Sequence, residues 1–316
     1  MEMIYTDPKR KEQGFLHDFY IDMEIGGAED FELTMDCVKD FEKGGIIGCY
    51  GSEYGGIAKK IMSETFKDSV TYHGPTFRGI LSKKIIEPPL GSDYKIVSGN
   101  VSSIINVFLS SFSMDDFFIC ETNSLTVTNY QFDRHCTLLS GLDRMLKQYG
   151  RRMSIRYEKD GKAHIYMERI KNYSNEVEFS SDYNINLSVS RDNARVNHLI
   201  CLGKGELKDR TVIHLYLDGS GKVSTTKHYF GLDEIADVYD YSSAENESAL
   251  ISEGIKKLQS YEYEKAEVEI EGVDIGLYDT VSARDYRTGI KIETEITRKI
   301  LKIYEDYESI EYKAGE

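Results

Sequence analysis

The stretch of this 316-residue chain nearest to a phosphate-binding loop is Gly219-Ser220-Gly221-Lys222, and it fails at one position. A Walker-type loop needs Ser or Thr after the lysine to hold magnesium, and Val223 stands there. Lying between alternating segments, these residues read instead as a hairpin turn at Asp218-Gly219. Gly48-Cys49-Tyr50-Gly51, with Gly55-Gly56 before Ile57, has neither the Lys-Ser/Thr pair nor a dinucleotide-fingerprint spacing. His198 and Cys201 have a metal-ligand spacing, but on a strand they face opposite sides. His198 shares its side with Val196, Ile200 and Leu202, which predicts a hydrogen-bonded core histidine. His214 and His228 belong on neighbouring strands without a set of cysteines and carboxylates beside them, so zinc is not expected. The acids from Asp233-Glu234 through Asp237, Asp240 and Glu245 lack calcium-loop spacing and read as a solvated connector. Neither a Gly-x-Ser-x-Gly elbow nor His-Glu-x-x-His occurs, and among 54 acids a carboxylate pair is no signal. The expectation is a protein without catalytic, cofactor or metal-binding residues.

The elements that hold these residues are mostly strands. Phe19, Ile21, Met23 and Ile25 alternate with Tyr20, Asp22 and Glu24, turn at Gly26-Gly27, and return through Phe31 to Met35 as a hairpin. Further strands are expected after Gly44-Gly45, over residues 55–61 and over residues 69–72. A short helix is expected over residues 77–86, before Pro88-Pro89. Val101, Ile104, Ile105, Phe108 and Phe112 predict a helix capped by Ser98. Leu138, Leu139, Leu142, Met145, Leu146 and Tyr149 predict another that stops at Gly150. A hairpin follows, turning at Asp160-Gly161.

Later strands are expected over residues 197–202, 212–217 and 223–230. Leu250, Ile251, Ile255 and Leu258 then mark a helix, with Ser242 and Glu245 as its capping box. The chain is β again from Glu267, and Asp285 to Gly289 supplies a tight turn. Ile290, Ile292 and Ile296 fall on one face, with Lys291, Glu293 and Glu295 on the other. Leu301 and Ile303 are out of phase with them, so a β-bulge or bend is predicted near Thr297-Arg298.

Composition fits a β-rich α+β protein of two or three domains: 40% hydrophobic residues, 23 Tyr, no Trp and 4 Pro. Five widely spread cysteines read as reduced, buried side chains. No apolar run reaches membrane-span length, and residues 1–13 are too polar for a signal peptide, so synthesis in the cytoplasm is expected. The net charge of −15 opposes nonspecific nucleic-acid binding. It is either an ordinary solvated surface or the acidic lining of a channel.

Four blocks in chain order resemble a tail-protein family of siphophages and Gram-positive prophages. They are Ser52-Glu53-Tyr54-Gly55-Gly56-Ile57; Thr76-Phe77-Arg78-Gly79-Ile80-Leu81 with Lys84-Ile85-Ile86; residues 196–216; and residues 272–290. Within them the motif residues are Tyr54, Gly55, Gly56, Arg78 and Gly79, then His198, Gly203 and Gly205, and finally Gly276, Asp279, Asp285, Thr288 and Gly289. One departure is Pro75-Thr76-Phe77, where the family favours a tryptophan.

The family resembles the baseplate hub of long-tailed phages and of phage-tail-like (R-type) bacteriocins, a relative of contractile injection systems. The resemblance implies two small tail-tube-like β-barrels, residues 1–95 and 183–316, around an inserted α+β domain, residues 96–182. A helical insertion near 243–262 would interrupt the second barrel. The implied role is a homotrimeric adaptor between a sixfold tail tube and a threefold central spike or tip, with a tape-measure protein as a further partner. A trimer of two-barrel chains presents six similar units to the tube. It would be carried out of the host cell in a tail or tail-like particle, without a membrane or specific nucleic-acid partner. The resemblance fills the chain, leaving no room for the lysozyme or peptidase that some hubs append. Lys291, Glu293, Glu295 and Tyr312 are the interface candidates on the polar face of the last strands. The alternatives are a tail-associated carbohydrate-binding module, suggested by Tyr-rich strands, and a cell-wall hydrolase.

Overall fold

Period-two burial builds the first hairpin. In the computed structural model Phe19–Ile25 pairs antiparallel with Asp30–Met35, Phe19 opposite Met35 and Met23 opposite Phe31. Ile21, Met23, Ile25, Phe31, Leu33 and Met35 are all buried, as alternation requires. The structure describes residues 1–36, 38, 44–64, 66–174, 178–179, 186–191, 194–261, 264–270, 275–304 and 307–314. The start of the last motif block, Gly272-Val273-Asp274, lies outside the described residues.

Two compact units result, one of residues 1–187 and 267–316, the other of residues 188–266. In the first, Val70–Pro75 and then Lys60–Ser63 extend the hairpin on one side. On its other side lies the long strand Lys291–Tyr304, then Tyr307–Ala314. The amino-terminal hairpin and the carboxy-terminal strands therefore share one sheet. The β-rich α+β class is as expected, and among the described residues no sheet closes on itself. The register of Lys291–Tyr304 shifts between Ile296 and Arg298, at the predicted bulge. The extra residue brings Leu301 and Ile303 back to the buried side.

Residues 55–61 were expected to form one strand and form parts of two. Gly55–Ile57 joins a small sheet with Ile46–Gly48, while Lys60–Ser63 joins the large one. Helix α1, Phe77–Ser82, stops before the prolines. The amides of Ile86 and Leu138 bond to the carbonyls of Cys136 and Lys84, holding residues 84–86 extended. Helix α2, Val101–Ser111, is capped by Asn100, whose side chain accepts from Ser103 N. Ser98 is instead inside the strand Ile96–Asn100. Helix α3, Leu138–Gln148, is capped by Thr137 and ends ahead of Gly150, which has φ +63°. It packs on the hairpin of Arg151–Tyr157 and Ala163–Arg169, whose connection is a five-residue loop closed by Glu158 N to Lys162 O. One core joins Phe77 and Leu81 with Ile105, Leu142, Ile155 and Ile165.

The second unit carries the strands Val223–Ser224, Val212–Leu217, His198–Leu202 and Ala236–Asp240 in that order, the last pair parallel. The third strand was expected to run to residue 230. It ends at Ser224, whose hydroxyl turns back to Thr226 and ends the ladder. Helix α4, Glu247–Gln259, lies on one face of the sheet. Its cap is Asn246, which accepts from Ala249 N at 2.9 Å, in place of the expected Ser242 and Glu245. Leu250 and Leu258 pack on Leu199, Cys201 and Leu215. Gly254 allows the close approach: a Cβ there would sit 2.5 Å from Cys201 Sγ.

Candidate functional site

Arg78 is positioned by a cap two residues ahead of it. Thr76 Oγ1 accepts from Gly79 N at 3.0 Å, starting α1 so that Arg78 points inward, 2% exposed. Its Nε donates to Glu29 Oε1 at 3.0 Å, Nη1 to the Met153 carbonyl at 3.1 Å and Nη2 to Asp143 Oδ2 at 2.7 Å. Tyr278 OH donates to the same Asp143 oxygen at 3.0 Å. Glu29 also accepts from Gly26 N and from the Thr76 hydroxyl. One guanidinium thus pins a hairpin turn, α1, α3, the Arg151–Tyr157 strand and the segment before Thr280.

The electrostatics follow from burial. Desolvation opposes the Arg78 charge, but Asp143 and Glu29 outweigh it and raise its pKa. Burial raises the Glu29 carboxyl, with Arg78 pulling it back. Burial, then Asp143, raises the Tyr278 phenol. Gly79 is required by contact, since a Cβ would lie 2.0 Å from the Glu29 carbonyl oxygen.

A second pin holds Gly276 and Asp279. Fully buried Asp279 accepts from Arg152 Nη1, from Lys171 N at 2.7 Å and from Gly276 N at 2.9 Å. Arg152 Nη2 reaches Glu168 at 2.9 Å. A Cβ on Gly276 would collide with the Arg152 guanidinium. A third pin joins Lys299 Nζ to Glu53 Oε1 at 2.9 Å, with Nζ 5.7 Å from the ring centres of Tyr54 and Tyr312. Burial alone would raise the Glu53 pKa, yet Lys299 outweighs it and the net shift is downward. Burial likewise opposes the Lys299 charge and Glu53 outweighs it, so its pKa is raised.

Tyr54, Arg78, Gly79, Gly276 and Asp279 therefore all lie in or against these pins. Gly55 and Gly56 lie close by, against the Phe77 ring and the Pro75 carbonyl. The other motif residues stand elsewhere. Asp285 Oδ2 accepts from Thr288 N and Oγ1, and Gly289 closes that turn with φ +74°. Gly203 and Gly205 lie in the second unit, Gly203 against Leu250 and Gly205 with φ +99°. His198 is 8% exposed and hydrogen-bonded, to Glu234 at 2.7 Å and His214 at 2.8 Å. The helix-covered core is on the opposite side of its strand, at Leu199 and Cys201. Lys291, Glu293 and Glu295 are exposed, and Glu295 pairs with Lys147 at 2.7 Å. Tyr312, expected on that polar face, is 2% exposed, because the strand's pairing turns it inward beside Lys299.

Sequence reasoning missed Glu29, Asp143, Arg152 and Lys299. For two of them a signal was present. Asp143 lies among the apolar positions of α3, and Lys299 is in phase with Leu301 and Ile303. A charge on an apolar face demands a partner.

The pins are suited to holding elements in place: each buried cation reaches carboxylates from separate parts of the chain. Burial pushes the thiols of Cys49, Cys120, Cys136 and Cys201 up, Cys120 to about 12, away from the nucleophilic thiolate. Among the described residues no three His, Cys, Asp or Glu side chains gather as a metal site, and no helix is long and apolar enough to cross a membrane.

The chain matches no protein-family model and no curated protein at significant similarity. Its fold is that of phage tail proteins. It is similar to the 43 kDa tail protein of prophage MuSo2 from Shewanella oneidensis, with TM-score 0.58 and 13% identity over 99% of this chain and 98% of that one. It is similar to the tail protein from Neisseria meningitidis MC58, with TM-score 0.54 and 14% identity over 100% and 96%. It is also similar to prophage tail protein gp18 from Listeria monocytogenes EGD-e, with TM-score 0.50 and 14% identity over 100% and 95%.

Proposed function

We propose that the chain is a structural baseplate hub or tail-tip adaptor, a homotrimeric ring that joins a sixfold tail tube to a threefold central spike. The observation that carries this reading is the fold shared with tail proteins along almost the whole of both chains. In the proposal the motif residues shape and brace strands, and catalysis has no part. In this reading residues 1–95 and 183–316 supply the tube-like strands, which meet in one sheet, and residues 96–182 the domain inserted between them. Lys291, Glu293 and Glu295 contribute to contacts with the tube, the spike or a second copy, and a tape-measure protein passes through the ring. The assembled tail or tail-like particle is where the protein works.

Two physical features support an assembly. Lys60–Ser63 ends its side of the large sheet with every residue exposed, Ile61 and Met62 among them. Such an edge is usually covered or paired. The three buried pins also make a stiff frame, as a load-transmitting part requires.

Native mass spectrometry of the 36.1 kDa chain, alone and with its spike neighbour, tests the proposal. A trimer, or a three-to-three complex with the spike, is expected. A persistent monomer that ignores the spike would sink it.

A further inference from the structure

Beside Asp279 the first unit opens into a cavity of about 410 Å³. Its wall carries five cationic side chains, Arg152, Arg156, Arg169, Lys171 and Lys299, against two carboxylates, Glu53 and Glu168. In a chain of net charge −15 this local excess runs against the average. Both carboxylates are already committed, Glu53 to Lys299 and Glu168 to Arg152 and Arg156. Asp279, behind the wall, is held by Arg152 and by the Lys171 amide.

Two cations remain. Among the described residues no carboxylate lies within ion-pair distance of Arg169 or of Lys171 Nζ, which sits 5.8 Å from the Tyr173 ring centre. Both side chains are exposed, and the cavity floor beneath them is built from Arg152 and Lys299, 8% and 4% exposed. Ser154 adds a hydroxyl to the wall. Converging like charges repel, and an anion among them relieves that repulsion. The guanidinium fork matches carboxylate and phosphate oxygens, while lysine contributes a point charge.

We propose that this cavity binds a multivalent oxyanion, phosphate or clustered carboxylate, with Arg169 and Lys171 as the cations not paired to a described carboxylate, above the buried Arg152 and Lys299. The same chemistry is available from a free anion or from acidic side chains of a second copy.

The test is calorimetric titration and thermal unfolding of the full chain with sodium phosphate and with citrate, against sodium chloride at matched ionic strength. Wild type is expected to bind phosphate or citrate saturably and to melt higher than in chloride. The Arg169→Ala/Lys171→Ala double variant, altered only at exposed positions, is expected to fold and to bind at least about tenfold more weakly, the effect of losing a charge-assisted hydrogen bond. Sedimentation velocity separates the sources. If assembly is the same in wild type and variant, the ligand is a free anion. If the variant dissociates and phosphate competes with wild-type assembly, it is a second copy's carboxylates. Equal responses of wild type and variant to phosphate and citrate, or a wild-type response no larger than that to chloride, would overturn the proposal. A monomer that binds phosphate at this cavity would sink the hub assignment and leave this proposal standing, so the two fail separately.

Discussion

Both units have an apolar core, and the first adds to it a set of buried charges. In the first, buried charges tie together residues far apart in the chain: Arg78 reaches back to Glu29 and forward to Asp143 and Met153. In the second, one helix covers one face of a four-stranded sheet through leucines and a glycine, within a continuous stretch of chain. Apolar packing is non-directional and tolerates small shifts. A buried ion pair stabilises only if its geometry is met, and it penalises misplaced alternatives heavily. The first unit therefore trades tolerance for specificity of arrangement, which suits a part that must present fixed surfaces to several partners.

The largest effect is expected from Arg78→Ala. It leaves Glu29 and Asp143 buried without their cation, at a cost of about 3–5 kcal/mol. Hydrogen exchange read by mass spectrometry should show lost protection in residues 1–174 and unchanged protection in residues 194–261. Equal loss in both would break the comparison.

Leu258→Ala should act the other way round. Its fully buried side chain sits in the second unit's core, and truncation there costs about 3 kcal/mol. Protection should fall in residues 194–261, and the stability gap to wild type should be the same at every pH.

The smallest change, Glu53→Gln, sharpens the contrast through pH. It leaves Lys299 buried without its anion, a loss of about 1–3 kcal/mol near neutrality. The folded Glu53 pKa lies below its ordinary 4.5, so the pair's stability is present above 4.5 and is lost as pH falls through the folded value. The folded Lys299 pKa lies above its ordinary 10.5, so the contribution is present below 10.5 and is lost as pH rises through the folded value. Denaturant midpoints of wild type and Glu53→Gln should therefore converge below pH 4.5. A gap that persists into acid would show that the Glu53 charge is not what stabilises.

Local physics was legible wherever a short window carried it. Alternation marked Phe19–Ile25, i, i+3, i+4 spacing marked α2 and α3, and i, i+1, i+5, i+8 spacing marked α4. A phase slip marked the bulge at Ile296 to Arg298. The caps were harder, because Ser98 and Asn100 are both good N-caps and the strand ending at Asn100 chose between them. Tyr312 was misread because the strand that decides which way it faces is its neighbour.

The residues alone determined a β-rich α+β chain, its main hairpins and helices, and the positions of its turns. The resemblance to tail proteins singled out Arg78, Gly276 and Asp279 as motif residues without saying what those residues touch. Only the tertiary structure decided that Phe19–Ile25 pairs with Lys291–Tyr304, that Arg78 meets Glu29 and Asp143, and that five cations share one cavity wall. The reason is range. Backbone propensity and burial period act over a few neighbouring residues, whereas a buried charge is satisfied by whichever partner the folded chain brings within about 3 Å, at any separation in sequence.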